Sequence, residues 1–138
     1  MDRARRQVIT YPSEQQIVRI NKIQIETKGG RPFEPPFNYR DKNLTVGLIL
    51  DTISETLYGT ELYLSVYNKA AALAWKINAE HVFNDANKRT GTLAGLALLN
   101  LNYKPIRATS SELIDMALQV AERRCTIEEL GVWLYRHA

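Results

Sequence analysis

Nine consecutive residues near the middle of the chain, His81 to Arg89, carry most of the side chains that could do chemistry. They read His-Val-Phe-Asn-Asp-Ala-Asn-Lys-Arg and offer an imidazole, a carboxylate, two amides, an ammonium and a guanidinium. A histidine can serve as a general base near neutral pH, because its reference pKa is about 6.5. The carboxylate of Asp85 suits Mg²⁺, which takes one or two protein carboxylates and leaves its other positions to phosphates and water. A base, a metal ligand and phosphate-binding cations together indicate phosphoryl or nucleotidyl transfer.

The charges in this segment also indicate an anion, because an apolar helix is predicted to begin within it. Lys88 and Arg89 would lie in the first helical turn, where cations oppose the helix dipole. A phosphate bound to the free amide N–H groups at the helix start would remove that conflict. We therefore expect phosphate to be bound by Asn84, Asn87, Lys88 and Arg89.

Each of these residues also has a purely structural interpretation. Asp85 could be only a helix cap, Asn87 a turn former, and the two cations a solvated edge. Phe83 is predicted to anchor the loop in the core under any interpretation. The functional interpretation is favoured by the combination, because a connection between two apolar helices needs only a few turn residues.

Helix signals dominate the chain and strand signals are nearly absent. Capping boxes at Ser13, Thr109 and Thr126 each predict a helix start. The other predicted helices cover residues 44–58, 61–78 and 87–101, and the first runs from 13 to about 27. Because segment 87–101 is apolar on nearly all sides, it is predicted to be buried. The expected fold is all-α, a compact bundle of about six helices around a central buried helix.

The length of 138 residues predicts a single domain spanning 1–138. The net charge of +3 comes partly from the first eleven residues, which we interpret as a basic tail, with a weak polyanion contact as the alternative. The single Cys125 excludes an internal disulfide and fits a reducing compartment. No segment reads as a membrane span or signal peptide, so a cytoplasmic location is expected.

Residues 29–43 form a long predicted loop with three prolines and three aromatic residues. Loops of this length in a small domain are usually functional or disordered. The aromatic residues, which we expect to be exposed, favour a functional loop that docks a target.

The segment 81–89 resembles the signature of the Fic/Doc superfamily, His-x-Phe-x-Asp/Glu-Gly-Asn-Gly-Arg-x-x-Arg. It is more similar to the Doc (death-on-curing) branch, whose pattern is His-x-Phe-x-Asp-Ala-Asn-Lys-Arg. Every fixed position of that pattern is present, namely His81, Phe83, Asp85, Ala86, Asn87, Lys88 and Arg89. The supporting similarity spans about residues 44–103.

The resemblance implies a helical bundle with this loop at its centre. It also implies a catalytic set of His81, Asp85, Lys88 and Arg89. His81 would deprotonate a target hydroxyl, Asp85 would bind Mg²⁺, and Asn87 and Arg89 would hold the phosphates of ATP. Doc toxins transfer the γ-phosphate of ATP to a threonine of elongation factor Tu and stop translation, whereas most Fic proteins transfer AMP. A Doc toxin is restrained by a Phd-type antitoxin that folds as a helix on it.

Two departures from the AMP-transferring pattern favour phosphate transfer. Lys88 replaces a glycine, and Thr92 replaces the final arginine. Both changes disfavour the usual nucleotide pose and fit an inverted pose that presents the γ-phosphate. A third departure is Ala79, where some Doc proteins have an arginine. The phosphate contact of that arginine would then be made by another cation of this chain, and the candidates are Lys76, Arg40 and Lys42.

Other interpretations remain open at this point. The best match to the inhibitory helix of many Fic proteins, Thr10 to Glu14, lacks the final residue of that pattern, so we expect restraint by another chain. AMP transfer is the first alternative to phosphate transfer. A small basic domain that binds nucleic acid through Arg3, Arg5, Arg6, Lys88 and Arg89 is a second, and a catalytically silent binding protein is a third.

Overall fold

The structure is a computed structural model that describes residues 8–55 and 62–138, with side chains described from Val66 onward in the third helix. Six α-helices lie in these ranges: α1 (Glu14–Lys28), α2 (Val46–Ser54), α3 (Leu62–Ala79), α4 (Asn87–Leu101), α5 (Ser110–Ala121) and α6 (Ile127–Arg136). Within the same ranges there is no β-strand, and an isolated antiparallel bridge pairs Tyr39 with Phe83. The prediction of an all-α fold is confirmed.

The helix starts follow the local sequence signals closely. The capping boxes at Ser13, Thr109 and Thr126 all form, and each hydroxyl accepts a hydrogen bond from the backbone N–H three residues later. Helix α2 begins two residues later than predicted, because Thr45 is its N-cap. The predicted end of this helix near residue 58 lies outside the described residues.

Helices α3 and α4 pack against each other at the centre of the bundle. Helix α3 also packs against α2, α5 and α6, while α4 packs against α1 and α5. The predicted central helix α4 therefore shares its position with α3. Their close approach depends on Gly91 and Gly95, since a Cβ atom there would lie 2.7 Å from the Ala74 carbonyl oxygen and 3.2 Å from that of Ala70. The candidate loop 80–86 thus connects the two central helices.

The predicted basic tail is shorter than residues 1–11. The side-chain amide of Asn102, at the end of α4, hydrogen-bonds both backbone groups of Thr10, at 2.9 and 2.8 Å. Ile9 and Tyr11 pack against the core. Any tail therefore ends before Ile9, and residues 1–7 lie outside the described ranges.

The loop 29–43 lies against the bundle, which corrects the expectation of three exposed aromatic residues. Phe33 and Tyr39 pack against the core, and only Phe37 is exposed among the three. Asn38, which has a left-handed backbone (φ 58°), is only 2% exposed. No helix in the described part of the chain is long and apolar enough to cross a membrane.

Candidate active site

Two residues with left-handed backbone conformations bound the loop between the central helices. His81 has φ of 51° and Ala86 has φ of 63°. The N–H groups of His81 and Val82 donate to the carbonyls of Asn78 and Ile77, which ends α3. Between these two positions Val82 and Phe83 are buried, while Asn84 and Asp85 are half-buried.

Phe83 anchors this loop, as predicted. Its side chain is fully buried and stacks on Tyr39 with ring centroids 5.4 Å apart. The amide of Asn87 hydrogen-bonds both backbone groups of Phe83: Oδ1 accepts from its N–H at 2.8 Å, and Nδ2 donates to its carbonyl at 2.9 Å. Asn87 therefore shapes the loop, and its role in phosphate binding stays a prediction.

Asp85 is held as an ionised carboxylate. Its Oδ2 accepts a hydrogen bond from the Arg31 N–H at 2.7 Å, and its Oδ1 accepts from the Ala86 N–H at 2.8 Å. The Arg31 N–H, followed by that of Ala86, holds the pKa of Asp85 below its usual range. Both oxygens retain lone pairs, so the donor chemistry fits Mg²⁺ with phosphate and water as further ligands. The described residues contain no cluster of three or more typical metal-ligating side chains.

A chain of buried amides fixes the loop from behind. Asn21 in α1 is fully buried and donates from Nδ2 to the Asp85 carbonyl at 2.9 Å and to Thr90 Oγ1 at 3.0 Å. Its Oδ1 accepts from Asn38 Nδ2 at 2.8 Å. Asn38 in turn accepts from Asn84 Nδ2 at 3.0 Å. The amide of Asn84 is thus committed to loop 29–43, and its role as a phosphate ligand stays a prediction.

The first turn of α4 presents several donors. Lys88 is exposed, and Arg89 Nη2 donates to the Gly29 carbonyl at 3.0 Å. Within the described part of the chain, the backbone N–H groups of residues 87–89 have no hydrogen-bond acceptor. Free amides and two cations at one helix start form a suitable site for an anion. The Thr92 hydroxyl instead donates to the Lys88 carbonyl at 2.9 Å, within the helix.

These groups line one cleft of about 400 Å³. All six polar residues that the sequence predicted for the site line this cleft, whereas the Phe83 side chain is buried and does not. The lining residues are Asn78, His81, Asn84, Asp85, Ala86, Asn87, Lys88, Arg89 and Ala121. The side chain of His81 is exposed to solvent. The structure therefore places an imidazole, a carboxylate and two cationic side chains around one space.

The sequence interpretation missed the residues that support the loop from a distance. Asn21, Asn38 and the Gly30–Arg31 backbone all contact it. A Cβ atom on Gly30 would lie 2.9 Å from Asp85 Oδ2, so this approach requires glycine. One signal was available for Asn21, which interrupts the apolar stripe of Ile17 and Ile25 at helical spacing.

Comparison with known proteins agrees with this geometry. Residues 11–99 match the model of the Fic/DOC family, so the similarity begins well before the segment 44–103 on which the resemblance rested. A curated relative, "Toxin Doc" of Mycolicibacterium smegmatis, is 26% identical over 117 residues, covering 83% of this chain and 89% of the relative. The family match covers more than half of the chain and includes the whole candidate loop. The chain therefore belongs to the Fic/DOC family.

Proposed function

We propose that the protein is a Doc-like toxin that transfers the γ-phosphate of ATP to a hydroxyl group of a protein target. The observation that carries this proposal is the single cleft shared by His81, Asp85 and the free amides of α4. By resemblance, the target is elongation factor Tu, the consequence is a halt in translation, and the partner is a Phd-type antitoxin in the cytoplasm.

Asp85 supplies the carboxylate for Mg²⁺ in this proposal. Mg²⁺ bound there would neutralise charge on the phosphate chain of ATP. Lys88, Arg89 and the first amides of α4 hold the phosphate oxygens. Arg89 can exchange its neutral carbonyl partner on Gly29 for a phosphate, which forms a stronger, charge-assisted hydrogen bond.

His81 acts as the general base. One ring nitrogen takes the proton of the target hydroxyl while the hydroxyl oxygen forms a bond to the γ-phosphorus. The bond from the γ-phosphorus to the bridging β–γ oxygen breaks, and ADP leaves. The exposed position of His81 on the cleft gives a protein target access to the imidazole.

Transfer of AMP is the second candidate, because the same cleft could hold the nucleotide in the opposite direction. The first turn of α4 favours γ-phosphate transfer. Lys88 places a long cation where the AMP-transferring pattern has glycine, and the Thr92 hydroxyl is bound within its own helix. This helix start therefore offers no guanidinium at residue 92 for the far phosphate.

Labelled ATP separates the two reactions. We expect label at the γ-position, and not at the α-position, to pass to purified elongation factor Tu in the presence of Mg²⁺. The variant His81→Ala should lose transfer and cause no growth arrest when expressed. His137→Ala is the matched control, because the only other histidine of the chain lies at the end of α6 and stacks on Trp133. Label arriving only from the α-position would refute the kinase proposal in favour of AMP transfer.

The variant Lys88→Gly tests whether the lysine at this position favours γ-phosphate transfer over AMP transfer. It should lower γ-phosphate transfer and raise AMP transfer, because it restores the glycine of the AMP-transferring pattern. If Lys88→Gly transferred the γ-phosphate at the wild-type rate, Lys88 would not favour that reaction. A third candidate, a nucleic-acid-binding domain, predicts strongly salt-dependent binding to DNA or RNA. That binding would have the same affinity in His81→Ala as in the wild type.

A further inference from the structure

Arg40 makes three hydrogen bonds to three consecutive carbonyls at the start of the loop that follows α3. Its backbone N–H donates to Val82 at 2.9 Å, its Nε donates to His81 at 2.7 Å, and its Nη2 donates to Glu80 at 3.2 Å. The planar guanidinium thus spans the peptide groups on both sides of the His81 α-carbon. The guanidinium does not line the cleft that holds Asp85 and Lys88.

This contact matters because His81 has little else to direct its ring. Its backbone lies in the left-handed region, which residues with a Cβ atom seldom adopt. Neither ring nitrogen has a hydrogen-bond partner among the described residues. A catalytic histidine is usually oriented by a hydrogen bond to its second nitrogen. Here the direction of the imidazole depends on the backbone that carries it.

We propose that Arg40 is a positioning residue for His81. By holding the carbonyls of residues 80–82, it fixes the Cα–Cβ bond from which the imidazole reaches the cleft. The inference rests on the proposed role of His81 as the base. Precise placement is worth a large factor, since a displacement of about 1 Å can lower a rate by about 100-fold.

Arg123 provides a matched control at the same helix end. Its Nη2 donates to the Ala79 carbonyl at 3.0 Å, and its guanidinium lies 5.1 Å from the Trp75 ring centroid. Both arginines neutralise the negative end of α3, so both should stabilise the helix. Of these two arginines, Arg40 contacts the carbonyls on both sides of the His81 α-carbon and Arg123 contacts neither.

The first test compares kinetic constants for γ-phosphate transfer to elongation factor Tu. Arg40→Lys keeps the charge and loses the fork that bonds two carbonyls, so we expect kcat to fall by about tenfold or more. Arg40 was one candidate for a phosphate contact, but its guanidinium is bonded to carbonyls outside the cleft that holds Asp85 and Lys88, so the KM for ATP should stay within about twofold. Arg123→Gln should leave kcat within about twofold. Equal losses in the Arg40 and Arg123 variants would reduce Arg40 to a helix cap and overturn the proposal.

The second test observes the His81 ring without any need for activity. The chain has two histidines, so His137→Gln assigns the imidazole carbon–proton signals in an NMR spectrum. Arg40→Lys should shift and broaden the His81 signals, while Arg123→Gln should leave them unchanged. Unchanged His81 signals in Arg40→Lys would overturn the proposal. If the wild-type protein showed no transfer dependent on His81, the proposed function would fail, and these spectra alone would decide whether Arg40 orients the ring.

Discussion

The start of α4 differs from the starts of α1, α5 and α6 in how its amide groups are satisfied. Each of the other three begins with a capping box that pairs two backbone N–H groups with side chains. The N-cap of α4 is Ala86, which has a left-handed backbone and makes no side-chain hydrogen bond to the helix. Its next three N–H groups have no acceptor in the described part of the chain, and two cations lie in the same turn.

The start of α4 therefore lacks stabilising interactions that the other three helix starts have. It is also the place where we expect a ligand to bind. A missing cap costs about 1 kcal/mol, and a cation at a helix start costs about 0.3–1 kcal/mol. A phosphate bound at the α4 start would supply the missing acceptors and neutralise Lys88 and Arg89. At the capped starts, side chains already accept hydrogen bonds from these amide groups, so the two kinds of helix start should respond differently to the following changes.

The largest effect is expected for the carboxylate of the uncapped start. Asp85→Asn should lower Mg²⁺-dependent transfer by about 100-fold or more, the scale for losing a group that stabilises transition-state charge. Glu112→Gln changes a carboxylate at the capped start of α5 in the same way and should leave transfer unchanged. Both variants are measured with γ-labelled ATP. Comparable losses in the two variants would mean that the α4 start has no special role.

Pyrophosphate should stabilise the protein through the α4 start. At about ten times its Kd, a ligand that binds only the folded state adds about 1.4 kcal/mol, which raises Tm in a thermal melt. Arg89→Gln should remove most of this shift. Arg124→Gln is the control, because Arg124 is exposed and pairs with Glu122. A shift that survives Arg89→Gln would place the anion elsewhere.

Removing a capping hydroxyl should affect stability alone. Thr109→Ala should lower the free energy of unfolding by about 1 kcal/mol in urea, with no change in transfer.

Glu112, the carboxylate partner of Thr109 in this capping box, allows a second test, in which stability is measured against pH. The Thr109 N–H lowers the pKa of Glu112, so its contribution is present above the unfolded-state pKa of about 4.3 and is lost as the pH falls through the lower, folded-state pKa. The stability difference between wild type and Glu112→Ala should therefore shrink in acid.

The smallest effect is expected at Ala86. Ala86→Gly relieves a left-handed backbone but gives the unfolded chain more freedom, so the free energy of unfolding should change by only about 0.5 kcal/mol or less. Ala94→Gly, in the buried interior of the same helix, should destabilise by about 1 kcal/mol or more. The two urea midpoints compare these directly. If Ala86→Gly lowered the free energy of unfolding as much as Ala94→Gly, the Ala86 methyl group would make a stabilising contact that this expectation leaves out.

The capped starts were predictable because their signals lie within four residues. Ser13 with Gln16, and Thr109 with Glu112, specify their own hydrogen bonds. Phe83 was predictable as an anchor because a large apolar residue in a polar loop has few other uses. The candidate site was likewise predictable as a set, because its members are close in sequence.

The supports of that site were not predictable, because they come from distant parts of the chain. Asn21 reaches Asp85 across 64 positions, and Arg40 reaches His81 across 41. The break that Asn21 makes in the apolar stripe of α1 marks that residue as unusual but does not identify its partner, and Arg40 leaves no local pattern. The sequence marked loop 29–43 as unusual by its length and aromatic content, but its contacts with the candidate loop 80–86 depend on how α1 and α4 pack together.

The double hydrogen bond between Asn87 and Phe83 has an evolutionary consequence. It closes a ring of fixed size around residues 83–87, so we expect the backbone of the loop to keep its shape after substitutions at Asn84 and Asp85 but not after insertions or deletions. A single added residue would separate Phe83 from its amide partner and rotate every later side chain relative to His81. Relatives with different chemistry are therefore expected to exchange residues within the ring while keeping its length.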